Sequence, residues 1–62
     1  MIEVADLVST SVSTDRGIIL RFVEQTVNEF DFHQDSILLA EVYWQKLGRS
    51  RLEVVSELKK LN

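Results

Sequence analysis

The chain has 62 residues, a formal net charge of −3 and 45% hydrophobic residues, with no cysteine and no proline. These figures exclude a disulfide framework and cysteine-ligated metal sites. No apolar run approaches the roughly 18 residues of a membrane-spanning helix, and the acidic start lacks the basic segment of a secretory signal, so we expect a cytoplasmic protein. A chain of this length buries only about 60% of its unfolded surface. Its small core therefore predicts self-association or a protein partner.

Residues 1–12 form a leader that the sequence leaves open between a short helix and a strand. Ile2, Ala5 and Val8 have helical spacing, which favours a helix over residues 2–8, whereas Ile2 and Val4 also fit a strand. The hydroxyl and β-branched residues at 9–14 compete with helical hydrogen bonding. That run is predicted to link the leader to a helical domain over residues 13–62.

The first clear helix is predicted over about residues 14–30. Ser13 is its expected N-cap, and Asp15 lies in the first turn, where an acid favours the helix dipole. Apolar residues recur at steps of three and four along this segment, which is typical of one apolar stripe on a helix. The near absence of glycine and proline also argues against a fold rich in turns and strands.

A second helix is predicted over about residues 36–47, and Gly48 would end it. Apolar residues lie on nearly every side of this helix, which indicates burial on more than one face. Two neighbouring helices cannot cover so much apolar surface, so one face is expected to meet another chain. Tyr43 and Trp44 are adjacent and would point about 100° apart on a helix, so one of them is the expected interface anchor.

The third helix is predicted over about residues 50–61. Ser50 and Glu53 have the S-x-x-E spacing of a capping box, and Leu52, Val55 and Leu58 begin an apolar face. The sequence thus predicts an all-α fold, a small three-helix bundle, with or without a short leading helix, completed by self-association.

The predicted function is that of a small non-catalytic protein–protein interaction module with a regulatory, docking or assembly role, most readily as a homodimer. Its interface is predicted to use the large apolar residues of the second and third helices: Leu38, Val42, Tyr43, Trp44, Leu58 and Leu61. Charge is also unevenly distributed, because residues 1–45 carry a net −6 and residues 46–62 a net +3. An acidic body with a basic end could pair head to tail with another copy.

A small DNA-binding regulator is the first alternative. In a helix-turn-helix unit, Lys46, Arg49 and Arg51 would contact phosphate or an acidic partner. A ribbon-helix-helix dimer would instead use residues 2–8 as an intermolecular strand. The acidic chain makes nucleic acid the less favoured partner, since DNA-binding proteins usually present a basic face.

Residues Asp35, Ser36 and Ile37 suggest a second alternative. A D-S-I sequence at a helix start resembles the attachment motif of acyl- or peptidyl-carrier proteins, and the resemblance covers about a dozen residues. It implies a truncated carrier-like domain with phosphopantetheine on Ser36. The other interpretation of the same residues is a plain helix cap.

Catalysis and metal binding have little support in the sequence. His33 is the only histidine, and it lies in an expected loop without the nucleophile and orienting acid of a triad. One histidine with scattered carboxylates gives no metal-ligand spacing. The sequence therefore predicts no enzyme, no metal and no cofactor.

Overall fold

A computed structural model describes residues 2–28 and 34–61. They form one five-stranded antiparallel sheet with the spatial order β4-β3-β2-β1-β5. Its elements are β1 (Leu7–Thr10), β2 (Gly17–Asn28), β3 (Gln34–Trp44), β4 (Arg49–Val54), a 3₁₀ turn (Val55–Glu57) and β5 (Leu58–Lys60).

The predicted all-α bundle is wrong. Strand β2 lies where the helix over residues 14–30 was expected, and β3 overlaps the predicted helix over 36–47. The third predicted helix, over 50–61, is replaced by most of β4, the 3₁₀ turn and β5. The short leading helix is replaced by a turn and strand β1. Apart from the 3₁₀ turn, no helix occurs in the described part of the chain. The pairing of these segments with each other determines that they form strands, because β-branched and aromatic residues fit a pleated, half-buried surface.

The long hairpin of β2 and β3 is the main element of the sheet. Its register runs from Gly17 opposite Trp44 to Asn28 opposite Gln34, with one irregularity between Ile19 and Arg21. An extra residue on one strand bends that strand and increases its twist. The bulge at Leu20 therefore lets β2 curve around the core.

The core lies on one face of the sheet, which we call the inner face. Successive strand residues point to opposite faces, and on β3 the inner residues are Ala40, Val42 and Trp44. With residues of β1, β2 and β5 they form a single buried cluster: Val8, Ile19, Ala40, Val42, Trp44 and Leu58. Four of the five strands contribute to it, so the sheet wraps around one small core.

Strand β1 comes from the predicted leader, yet it lies between β2 and β5 in the sheet. A turn over residues 3–6 precedes it, in which the Asp6 N–H donates to the Glu3 carbonyl oxygen at 3.1 Å. The Asp6 carboxylate in turn accepts the Glu3 N–H at 2.8 Å. Ala5 has φ of 72° in this turn, a conformation that favours glycine.

The loop between β1 and β2 is fastened to the turn between β3 and β4. The Asp15 carboxylate accepts the backbone N–H of Lys46 at 3.0 Å and that of Leu47 at 3.3 Å. The Gln45 N–H donates to the Arg16 carbonyl oxygen at 3.0 Å. Asp15 therefore joins two chain reversals rather than opening a helix.

Candidate interaction surfaces

The face of the sheet opposite the core, which we call the outer face, is rich in apolar side chains. On β3 the outer residues are Ile37, Leu39, Glu41 and Tyr43, since they alternate with the buried ones. The register adds residues from the neighbouring strands: Leu7, Ile18, Arg21, Val23, Ser50, Leu52 and Val54. Leu61 follows β5 and donates its N–H to the Leu7 carbonyl oxygen.

Large side chains of the outer face are open to solvent. Tyr43 is 40% exposed, Leu52 53% and Leu61 47%. They belong to three different strands or strand ends, so the exposed apolar area crosses the sheet rather than following one strand. Contiguous apolar surface of this kind is typical of protein interaction sites.

A polar network lies at the centre of the outer face. The Arg21 Nε donates to Glu41 Oε1 at 2.8 Å, and the Ser50 hydroxyl donates to Glu41 Oε2 at 2.9 Å. The bond from Arg21 and then that from Ser50 hold the pKa of Glu41 below its ordinary value. The network links β2, β3 and β4, and within it the positive charge of Arg21 is paired with the negative charge of Glu41.

An open groove of about 670 Å³ lies on the inner side, between the β1–β2 loop and the segment from β4 to β5. Trp44 and Leu58 form part of its wall, and Val12 on the loop is 93% exposed. Its charged residues have both signs: Asp15, Arg51, Glu53, Glu57 and Lys59. The groove therefore does not favour ligands of one charge over ligands of the other.

The six residues predicted for the interface separate into two groups. Val42, Trp44 and Leu58 are buried in the core, whereas Leu38, Tyr43 and Leu61 are exposed. The adjacent pair Tyr43 and Trp44 does diverge, because neighbouring residues of a strand point to opposite faces. Tyr43 is the member that reaches solvent.

The three basic residues predicted to contact phosphate or an acidic partner lie at or near one end of the sheet. Lys46 is in the β3–β4 turn, where its Nζ donates to Thr14 Oγ1 at 3.2 Å. Arg49 is exposed at the start of β4, and Arg51 Nε lies 3.7 Å from Glu53 Oε1. Neither a helix-turn-helix nor a ribbon-helix-helix unit can be built from residues 2–28 and 34–61, because they contain no α-helix.

Ser36 lies within β3, opposite Thr26, and its side chain is exposed. It has no helix N-terminus behind it, which was the physical basis of the carrier-like interpretation. His33 lies outside the described residues. Among the residues that are described, no group of three or more His, Cys, Asp or Glu side chains is placed to hold a metal ion.

Leu52 and Ile37 are exposed residues of the outer face that were not predicted from the sequence. The available signal was the number of β-branched residues, which favours strands, since β3 is apolar on both faces and shows no period-two contrast. The predicted third helix instead placed Leu52 on one apolar face together with Val55 and Leu58.

Comparisons with protein-family models, with curated proteins and with solved structures found no match to this chain. Within the described ranges, no helix has the length and apolar character needed to cross a membrane.

Proposed function

We propose that this chain is a small non-catalytic protein–protein interaction module whose contact surface is the outer face of its sheet. The observation that carries the proposal is that the large apolar side chains of Tyr43, Leu52 and Leu61 are exposed on that face. Tyrosine and leucine at the centre of such a surface bury apolar area when a partner covers them, and tyrosine is a favoured interface anchor. A cytoplasmic location is part of the proposal, because a chain without cysteine needs no oxidising compartment.

The outer face suits association better than the inner groove does. Its central charges, Arg21 and Glu41, are already paired at 2.8 Å, so a partner that covers them leaves no unpaired charge behind. The groove instead presents five charged side chains of both signs. Arg51 lies 3.7 Å from Glu53 and Asp15 accepts backbone N–H groups, but Glu57 and Lys59 form no ion pair within the described residues. A partner on the groove would have to match or desolvate these two charges, which makes the outer face the less costly surface to cover.

Replacement of Leu52 by glutamate tests the proposal. Leu52 lies on edge strand β4 and is already exposed, so Leu52→Glu should leave the isolated fold intact while placing a charge inside the contact. We expect association with itself or with a captured partner to weaken by at least about ten-fold, as measured by sedimentation velocity and native mass spectrometry.

Val12→Glu is the matched control, because Val12 is an exposed apolar residue at the groove. It should leave association unchanged, and circular dichroism should show the same fold for both variants. If Val12→Glu weakens association while Leu52→Glu does not, the groove is the contact surface and the proposal is wrong. A chain that is monomeric and without a partner at all concentrations would also overturn it.

A further inference from the structure

Strand β4 is one of the two edges of the sheet, and within the described residues it pairs only with β3. An edge strand presents unpaired N–H and C=O groups with which another chain can pair. The other edge, β5, is three residues long and carries Lys59 and Lys60, and short strands with lysine resist such pairing. Strand β4 has six residues and no lysine, so it is the edge that is open to the addition of a strand.

Alternate residues of β4 direct their backbone N–H groups away from the sheet. The Gln45 N–H donates to the Arg16 carbonyl oxygen on the β2 side of β3, so by alternation the backbone groups of Trp44 point to β4. Trp44 pairs with Arg49, and Arg49 and every second residue after it therefore bond to β3. The N–H groups of the remaining three residues face the open edge: Ser50, Leu52 and Val54.

The edge of β4 is uncovered in the described part of the chain. Apart from the pairing with β3, no backbone hydrogen bond there is donated by the N–H of Ser50, Leu52 or Val54. Leu52, in the middle of the strand, has a side chain that is 53% exposed. A second strand can therefore reach the hydrogen-bonding groups of β4.

The side chains of β4 have a self-complementary charge pattern. Arg51 and Glu53 lie on the inner face, because the residues opposite them on β3 are buried. Within the chain, the Arg51 Nε lies 3.7 Å from Glu53 Oε1. Leu52 lies between them in sequence and points to the outer face. A strand with a base and an acid two residues apart offers opposite charges to an antiparallel copy of itself.

We propose that β4 pairs antiparallel with β4 of a second copy of this chain about a two-fold axis at Leu52, which joins two five-stranded sheets into one. In this register Leu52 lies opposite Leu52, and Arg51 of each copy lies opposite Glu53 of the other. The backbone groups of the two Leu52 residues bond to each other, and each Val54 N–H donates to the Ser50 carbonyl oxygen of the other copy. The contact is the same for both copies, as a closed two-fold dimer requires.

The charges favour this register over its neighbours. The edge groups of β4 can also bond after a shift of the pairing by two residues, but one such shift places Arg51 opposite Arg51 and the other places Glu53 opposite Glu53. Like charges directly opposite each other are destabilising, whereas opposite charges are favourable. In the proposed register both Arg51–Glu53 pairs are also non-hydrogen-bonded pairs, in which the side chains lie closest.

The pairing goes beyond the proposed function, because it uses the backbone edge of the sheet rather than its outer face. A two-fold axis perpendicular to the sheet keeps the outer faces of both copies on the same side. The two Leu52 side chains then lie side by side, and the exposed Tyr43 of each copy stays free for a partner. The dimer therefore presents one continuous outer face.

Reversal of one charge in β4 tests the pairing. Arg51→Glu makes all four facing charges acidic, and we expect it to raise the dimer dissociation constant by about ten-fold or more in low salt, measured by sedimentation equilibrium. Arg49→Glu is the matched control, because it makes the same change on the same strand and face but lies opposite Val55, beyond the paired residues. It should leave the dissociation constant unchanged. Equal losses for the two variants would overturn the pairing at Leu52.

An exchange of the two charges separates pairing from net charge. Arg51→Glu combined with Glu53→Arg in one chain restores an acid opposite a base in both pairs, so self-association should return to wild-type strength. Mixed dimers with the wild-type chain should be rare in native mass spectrometry, since they would set acid against acid and base against base. Circular dichroism should show the same fold for all variants. A folded double variant that stays monomeric, or that mixes freely with wild type, would contradict the proposal.

Hydrogen exchange tests the backbone pairing in the wild-type protein. We expect the amides of Leu52 and Val54 to exchange more slowly as the protein concentration rises through the dissociation constant. The amides of Arg51 and Glu53, which bond to β3, should be protected at every concentration. Association that leaves exchange at Leu52 and Val54 unchanged would show that the copies do not meet at the edge of β4.

The outcomes also separate this pairing from the proposed function. Tyr43→Glu changes the outer face on β3, so it should weaken binding to a different protein and leave the β4 dimer intact. If Tyr43→Glu dissociates the copies and Arg51→Glu does not, the copies meet through their outer faces and the edge pairing is wrong. If the chain stays monomeric but binds a different protein through Leu52, the second copy is wrong and the interaction module stands. Growth of the mass beyond two copies would indicate pairing of β4 with β5 and would overturn the closed dimer.

Discussion

Gly17 and Gly48 are the two glycines of the chain, and they are needed for different reasons. Gly17 is buried in β2, where a Cβ atom would overlap Val42 Cγ1 and lie 2.8 Å from Trp44 Cε3. Gly48 has open space around it but a φ of 73° in the turn before β4. At Gly17 glycine provides room for the tryptophan ring, and at Gly48 it provides a backbone conformation that other residues adopt only with strain.

Gly17→Ala should therefore act through the core. We expect it to lower the free energy of unfolding by about 1–3 kcal/mol, the usual cost of overpacking, and to change the emission of Trp44, the only tryptophan. Urea denaturation followed by tryptophan fluorescence measures both effects. Val42→Ala should compensate part of the loss by removing the atom that the new methyl group meets.

Gly48→Ala is the comparison for that prediction. It should cost about 1–2 kcal/mol because of its positive φ, without a change in the folded-state emission and without compensation by Val42→Ala. If the double-mutant cycle shows no coupling between positions 17 and 42, the steric explanation for Gly17 is wrong.

At the scale of elements, Asp15 holds two chain reversals together by accepting the backbone N–H groups of Lys46 and Leu47, and it also accepts the N–H of Arg16 in its own loop. Asp15→Ala leaves the amides of Lys46 and Leu47 to solvent, and we expect the free energy of unfolding to fall by about 1–2 kcal/mol, since hydrogen bonds to a charged group contribute about that much. Hydrogen exchange at those two amides should accelerate more than exchange in β2. Glu57→Ala removes an exposed acid and serves as the control. Unchanged exchange at Lys46 and Leu47 would refute this role of Asp15.

The hairpin of β2 and β3 shows why sequence patterns predicted the wrong elements. On β3, apolar residues occupy both faces: Ala40, Val42 and Trp44 lie inside, and Leu39 and Tyr43 lie outside. A strand that is apolar on both faces has no period-two contrast, and such a run cannot be told from a buried helix by periodicity alone. The bulge at Leu20 shifts the alternation on β2 in the same way. β-branched residues, abundant in β2, were the signal that favoured a strand.

The capping signals failed for a related reason. Ser50 and Glu53 have capping-box spacing, but Ser50 binds Glu41 across the sheet, and Glu53 lies near Arg51. Polar side chains with this spacing form hydrogen bonds or ion pairs with the groups that the tertiary structure brings close to them. The scarcity of glycine was also misleading, since Asp6 and Asp15 stabilise turns with their carboxylates. Gly48 does lie in a turn and Tyr43 and Trp44 do point apart, but both were predicted for a helix that strand β3 replaces.

At the scale of the whole molecule, one small core supports the sheet while its other face stays open. Six buried apolar residues of the described ranges form that core, while large apolar side chains such as Tyr43 and Leu52 stay exposed on the outer face, since a chain of this size buries only part of its apolar surface. In addition to the backbone pairing of the strands, the Glu41 network joins β2, β3 and β4 at one point of the outer face. A change in the charge of Glu41 should therefore affect the stability of the entire sheet.

The pKa of Glu41 is lowered in the folded chain, first by the hydrogen bond from Arg21 and then by that from Ser50. A carboxyl group whose folded pKa is depressed contributes stability that is fully present above its unfolded pKa, about 4.3 for glutamate, and that is lost as pH falls through the folded value. We expect the urea midpoint to fall as pH is lowered from about 5 towards the lowered pKa of Glu41. Glu41→Gln should reduce this fall, whereas Glu57→Gln should not, because Glu57 is exposed on the 3₁₀ turn. Parallel pH profiles for wild type and Glu41→Gln would show that the network adds nothing to the stability of the sheet.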